Sequence, residues 1–200
     1  MDKVIKETYS TTKNPLRRLR VEGMSFLMSP PEINSNKTSV ELELLENIGR
    51  RIKDEDKDAI RRYNGNVLSE FYHVLNQFSL NCDKCEMEDL VFDVKTIVEQ
   101  EKVKHGRPRP CEIGKKQGFA LNEEAKFNSN PSYPCGHATE SMFLALYLAE
   151  EYPLYKDIFM ETANKIANSR LLSSNNYPTD NLAGQTLAYV LYNRYKEDKE

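Results

Sequence analysis

The chain has 200 residues, 39% hydrophobic and 30% charged, with a net charge of −3 at pH 7. That length and apolar content suit one globular domain with a continuous core and a concave site, and the slight acidity excludes a general nucleic-acid binder, which would carry a basic face. The longest apolar run, 142–149, is less than half of the roughly 20 residues a membrane helix needs, so no membrane partner is expected.

Residues 1–25 read as an N-terminal arm. Its basic cluster, Arg17, Arg18 and Arg20 after Lys13, is short and reads as a solvated charge run. The first residues lack the charged-then-apolar order of a secretory signal, which sets the expectation of a cytoplasmic protein. From 26 to 200 amphipathic periodicity dominates, and the few glycines and prolines cluster between periodic segments, as in a single all-α domain. After a loop through Pro30, Pro31 and Asn34, Thr38 and Glu41 fit a capping box leading into Leu42, Leu45 and Ile48. Ile60, Tyr63, Val67, Phe71, Val74, Leu75 and Phe78 then recur at three- and four-residue steps, which predicts one long helix with these side chains in the core and His73 as a structural residue. The stretch 81–85 breaks the pattern. Leu90, Val94, Ile97 and Val98 resume it in a helix running into Lys102, and Pro108 and Pro110 bar its continuation. Residues 111–133 are polar and irregular and predict a loop that could serve as a lid. Further helices are expected from Gly136 through Tyr147, over about 156–168, and from Asp180 through Tyr195.

Three short strings stand out on this scaffold: Lys102-x6-Arg109-Pro110, Pro134-Cys135-Gly136-His137, and Ser169-Arg170-x5-Asn176-x3-Asp180. A phosphate dianion taken out of water needs several donors and positive charges converging on its oxygens. Lys102, Arg109 and Arg170 would supply three charges, the arginines as planar forks and the lysine as a point charge. Backbone donors would come from Cys135, Gly136 and His137 at a helix N-terminus, where free amides and the dipole favour an anion and Gly136 permits close approach.

In order and in internal spacing the strings resemble the three-part phosphate-site pattern of the type 2 phosphatidic acid phosphatase superfamily, K-x6-RP, PSGH and SR-x5-H-x3-D. That group also holds the soluble class A nonspecific acid phosphatases and the vanadium haloperoxidases. Met28-Ser-Pro-Pro with the Glu-rich helix after it, and Asp180 through Gly184, look like segments of the class A enzymes. The resemblance implies an all-α, single-domain helical bundle and a metal-independent, cofactor-free phosphomonoester hydrolase working through a phosphohistidine. His137 would be the acid that protonates the leaving oxygen. The attacking histidine would stand at 176, oriented by Asp180, and this chain has Asn176 there.

Asparagine has no basic lone pair on nitrogen, although its amide can donate to a phosphate oxygen. Binding and turnover should therefore separate. The chain reads as an inactivated or substrate-trapping phosphatase, which its otherwise undegraded motifs favour, or as a non-catalytic sensor of a phosphorylated metabolite or nucleotide. A haloperoxidase would need the missing histidine as its vanadate ligand. The expected partner is a soluble phosphomonoester, such as a nucleotide, and an apolar helix face could support a homo-oligomer.

The second departure is Cys135 where the pattern has serine. A thiol is the weaker donor, and a thiolate, which Arg170 and the helix end would favour, would repel phosphate. As a replacement nucleophile it lacks the arginine six residues on that cysteine phosphatases carry, since that position is Ser141. His105 is the remaining histidine that could substitute at 176. Cys82-x-x-Cys85 has no second pair to complete a zinc site, so free thiols in a polar connection are expected.

Overall fold

The computed structural model describes residues 27–122 and 130–197. The expected arm, 1–25, lies outside the described residues, as does the middle of the expected lid, 123–129. Among the described residues all regular structure is helical: α1 (Asn36–Gly49), α2 (Asp54–Tyr63), α3 (Val67–Gln77), α4 (Lys84–His105), α5 (Pro110–Gln117), α6 (Gly136–Glu151), a 3-10 turn (Pro153–Tyr155), α7 (Lys156–Leu172) and α8 (Pro178–Glu197).

α6 is the central helix, packed against α4, α7 and α8. It buries Ala138, Thr139, Ser141, Met142, Phe143, Leu144, Ala145 and Leu148, apolar nearly all round, as a helix surrounded by others must be. Around it Phe71 and Leu75 of α3, Leu90 and Val94 of α4, Phe159 and Ile166 of α7, and Leu187 and Leu191 of α8 close one continuous core. A smaller apolar cluster, Leu42, Leu45, Ile113 and Tyr177, ties α1 and α5 to the turn before α8. At the N-terminal end of α6 the packing side chains are small, Cys135, Ala138 and Ala167, so neighbouring backbones come close. A Cβ on Gly184 of α8 would sit 2.5 Å from the Cys135 carbonyl oxygen and 3.0 Å from Thr139 Oγ1.

The expected long second helix is two. The apolar stripe runs through 60–78 in register, but Asn66 turns its side chain onto the Leu68 N–H and caps a new helix at Val67, while α2 ends at Tyr63. His73 is exposed on α3. At α1 the cap is Ser35, whose Oγ accepts from the Thr38 N–H, and not Thr38 with Glu41. Glu41 is buried and bonds to distant elements instead. Pro110 opens α5 rather than a loop, because an N–H at the first helical position has no intrahelical acceptor and proline loses nothing by lacking one, so the irregular stretch begins only at Gly118. Asp83 caps α4 through the Glu86 N–H, which puts Cys85 in its first turn. Both thiols are free, and no group of three His, Cys, Asp or Glu among the described residues could hold a metal.

Gly184→Ala should destabilise the protein. The methyl gains up to about 1 kcal/mol of helix propensity but must push a backbone oxygen aside, at about 1–3 kcal/mol for overpacking, so chemical denaturation should show a net loss of stability.

Candidate functional site

The first string ends a helix and starts another. α4 runs past Lys102 and stops at Gly106, whose φ of 57° is the left-handed cap glycine tolerates best. The turn that follows carries Arg107, Pro108 and Arg109 to the head of α5. Lys102 is 7% exposed, with Nζ 3.0 Å from Glu99 Oε1 one turn back. Arg109 is held rigidly: Nε donates to the Asn130 carbonyl at 2.9 Å, Nη1 to the Asn175 carbonyl at 2.8 Å and to Asn176 Oδ1 at 3.3 Å, and Nη2 to the Pro131 carbonyl at 3.4 Å. Burial lowers its pKa from the free value.

The second string opens α6. Gly136 sits where a Cβ would meet Glu140 Oε1 at 3.3 Å, Val98 Cγ1 at 3.5 Å and Lys102 Nζ at 3.9 Å, so its bare backbone keeps this wall of the site open. His137 Nε2 lies 3.3 Å from the Gly65 carbonyl oxygen, which can only accept, so that nitrogen carries a proton. Burial, with Arg170, Lys102 and Arg109 nearby, pushes the ring's pKa down to about 3. His137 is thus neutral beside those cations alone, and a dianion placed among them favours its second proton.

The third string spans the turn from α7 to α8. Arg170 is 5% exposed. Its Nη1 donates to Asn64 Oδ1 at 2.7 Å, while its Nε is buried without a hydrogen-bond partner. The chain then reverses through Ser174 at φ 51°, a left-handed conformation uncommon for serine, and the amides of Asn175 and Asn176 fold back onto the Arg170 carbonyl. Asn176 Nδ2 donates to the Ser132 carbonyl at 2.7 Å and to Asp180 Oδ2 at 3.4 Å. Both amide hydrogens are therefore engaged away from the cavity, and the expectation that Asn176 donates to a phosphate oxygen is corrected: its oxygen faces Arg109.

Lys102, Arg109, Gly136, His137, Arg170 and Asn176 line one cavity of about 570 Å³. Cys135, expected at the anion, is not on that lining, and neither is Asp180, expected to stand behind position 176. Cys135 is 1% exposed, its N–H donates to the Asp180 carbonyl at 3.0 Å, and burial raises its thiol pKa despite Arg170, so neither a thiolate nor its amide meets a ligand. Asp180 is wholly buried behind Asn176. His105 also points elsewhere, 3.3 Å from Glu101 Oε2 and edge-on to Tyr133, so it cannot stand in at 176.

Several site residues escaped sequence reasoning. Arg107 is 3% exposed, donates to Asp180 Oδ1 at 2.6 Å, Glu41 Oε2 at 2.8 Å and Thr179 Oγ1 at 2.8 Å, and lies 3.7 Å from the centre of the Tyr177 ring. Its proximity to Arg109 was visible, but its acidic partners lie far away in sequence. Asn64 and Gly65 enter through the α2–α3 break, for which the Asn-Gly-Asn run was the available signal. Glu140 lines the cavity one turn beyond His137, a spacing that places it on the same helix face.

A helical bundle has here brought three cations and one neutral imidazole to a shared cavity at a helix N-terminus, an arrangement whose chemistry suits a tetrahedral oxyanion. The chain belongs to the PAP2 superfamily, whose sequence model matches residues 91–196, the stretch containing all three strings. A solved relative in fold is the first transmembrane PAP2-type phosphatidylglycerolphosphate phosphatase from Bacillus subtilis, 16% identical, with a TM-score of 0.58 over 84% of this chain and 88% of that one. Among curated proteins, none matches the chain. No helix among the described residues is long and apolar enough to cross a membrane.

Arg107→Leu would leave the Glu41 and Asp180 carboxylates buried without their shared cation, and breaking such a pair costs about 3–5 kcal/mol. Denaturant unfolding should show that loss, whereas Arg61→Ala, at an exposed ion pair, should change stability by less than about 1 kcal/mol.

Proposed function

We propose that this chain binds a phosphomonoester in the cavity between α4, α6 and α7, and that Asn176 keeps it from cleaving that ester through a phosphohistidine. The observation that supports the reading is the convergence of Lys102, Arg109 and Arg170 with the His137 ring on one cavity. Arg170 brings an unpartnered Nε, and Gly136 and His137 bring amides in the first turn of α6, where helical backbone leaves N–H groups free.

The chemistry follows from which groups hold protons. In a phosphohistidine mechanism a ring nitrogen at 176 attacks phosphorus with its lone pair, the phosphorus–oxygen ester bond breaks, and His137 passes a proton to the departing alkoxide. Water then attacks the phosphohistidine and releases inorganic phosphate. The contact of Asn176 Nδ2 with Asp180 Oδ2 supports Asp180 as the group that would hold such a ring. The amide at 176 offers no basic nitrogen, so the first bond to phosphorus does not form. In this reading the chain keeps the family's cradle and retains the ester.

The test is Asn176→His. The variant should hydrolyse an aryl phosphate, with EDTA leaving the rate unchanged, while the parent binds inorganic phosphate and shows a rate lower by several powers of ten, on the order of nucleophile losses in other hydrolases. In the parent, Arg170→Ala should weaken phosphate binding at least tenfold, as loss of a buried charge-assisted donor does. An inert histidine variant that still binds phosphate would replace the enzyme reading with that of a sensor.

A further inference from the structure

The cavity is larger than its cradle, and its charge is uneven. Lys102, Arg109 and Arg170 all line it and all act on the His137 ring. Along α4 from Lys102 the wall continues through Glu99, Lys95, Phe92 and Glu88, successive positions on one helix face, and across from them α6 contributes Glu140. Lys102 is already paired to Glu99 at 3.0 Å. Glu140 makes no hydrogen bond or ion pair with any described residue. Its Oε1 and the Lys102 ammonium nonetheless lie on the same stretch of wall, 3.3 Å and 3.9 Å from the point where a Gly136 side chain would begin. A free carboxyl therefore sits beside the phosphate cradle, where an ionised form would repel a bound dianion unless a second positive group on the ligand faced it.

We propose that Glu140 is a specificity-determining residue that accepts a hydrogen bond from an ammonium on the alcohol portion of the ester, so that the preferred ligands are zwitterionic phosphomonoesters of short amino alcohols. This rests on the phosphomonoester reading above. The groups facing Glu140 are Lys95, Glu99 and Lys102 from α4, His137 from its own helix, and beyond them Arg170 of α7 and Arg109. Phosphate oxygens occupy the three cations at the cradle end, including the Arg170 Nε that has no partner, and the ammonium comes to rest between Glu140 and Glu99. Burial pushes the Glu140 carboxyl up to about 7, with Lys95 and Lys102 acting against that rise, so a ligand ammonium can set its ionisation near neutral pH. Simple alkyl phosphates and inorganic phosphate lack the group that Glu140 reads.

Calorimetric titration of the full chain separates this from the underlying reading. O-phosphoethanolamine should bind at least about tenfold tighter than ethyl phosphate. Glu140→Gln should abolish the difference while binding inorganic phosphate as well as the parent or better, because a repelling carboxylate has gone. Equal affinities in the parent, a preference that survives Glu140→Gln, or tighter binding of adenosine monophosphate than of O-phosphoethanolamine would each overturn the assignment while leaving the phosphate site in place. Failure of the parent to bind inorganic phosphate or either ester would overturn both.

Discussion

The guanidinium of Arg107 is the interaction on which the site depends. It is buried between Glu41 of α1 and Asp180 of α8, with the Tyr177 ring against its face, and it sits two residues before Arg109. Burial works against its charge, but the two carboxylates more than offset that and raise its pKa. A cation held this way fixes three elements at once. Glu41 turns its other oxygen to the Thr179 N–H and Oγ1, Asp180 turns its other oxygen to the Tyr177 N–H at 2.9 Å and to Asn176, and Arg109 reaches the Asn175 carbonyl. The first and third strings are thereby set in one geometry, and the second joins them through the Cys135 N–H on the Asp180 carbonyl.

Asp180 consequently has two tasks. It closes the charge balance around Arg107 through one oxygen and holds the side chain at 176 through the other. The network around it remains complete with asparagine at 176, because an amide can give both hydrogens to Ser132 and Asp180 while its oxygen accepts from Arg109. Asparagine therefore leaves no buried polar orphan at that position. Buried polar side chains are retained in a fold when every donor and acceptor finds a partner, and Asn176 meets that condition.

How much of this was legible in the chain follows from the range of each signal. The strings could be read because a lysine, two arginines and a histidine are fixed to helix ends by nearby glycine and proline, which is local chemistry. The extents of α4, α6, α7 and α8 followed from apolar spacing to within a few residues. The α2–α3 break did not, because the stripe from Ile60 to Val67 stays in register across it and hides Asn66 as a cap. Glu41 was misread for a related reason. Thr38 and Glu41 have capping-box spacing, but Ser35 captures the Thr38 amide first, and the true partner of Glu41 is 66 residues away, where no periodicity reaches. Glu140 was passed over because an acidic residue on a helix reads as surface until a neighbouring helix closes over it.

The tethering of Arg109 has a thermodynamic consequence. Four of its five N–H groups are taken by carbonyl oxygens and the Asn176 amide before any ligand arrives. A long side chain that is normally free to swing forfeits rotamer freedom when it closes on an anion, whereas this one has forfeited it during folding. The guanidinium is thus a fixed background field over the cavity, whereas Arg170, with one hydrogen bond from Nη1 and an unpartnered Nε, keeps donor capacity in reserve.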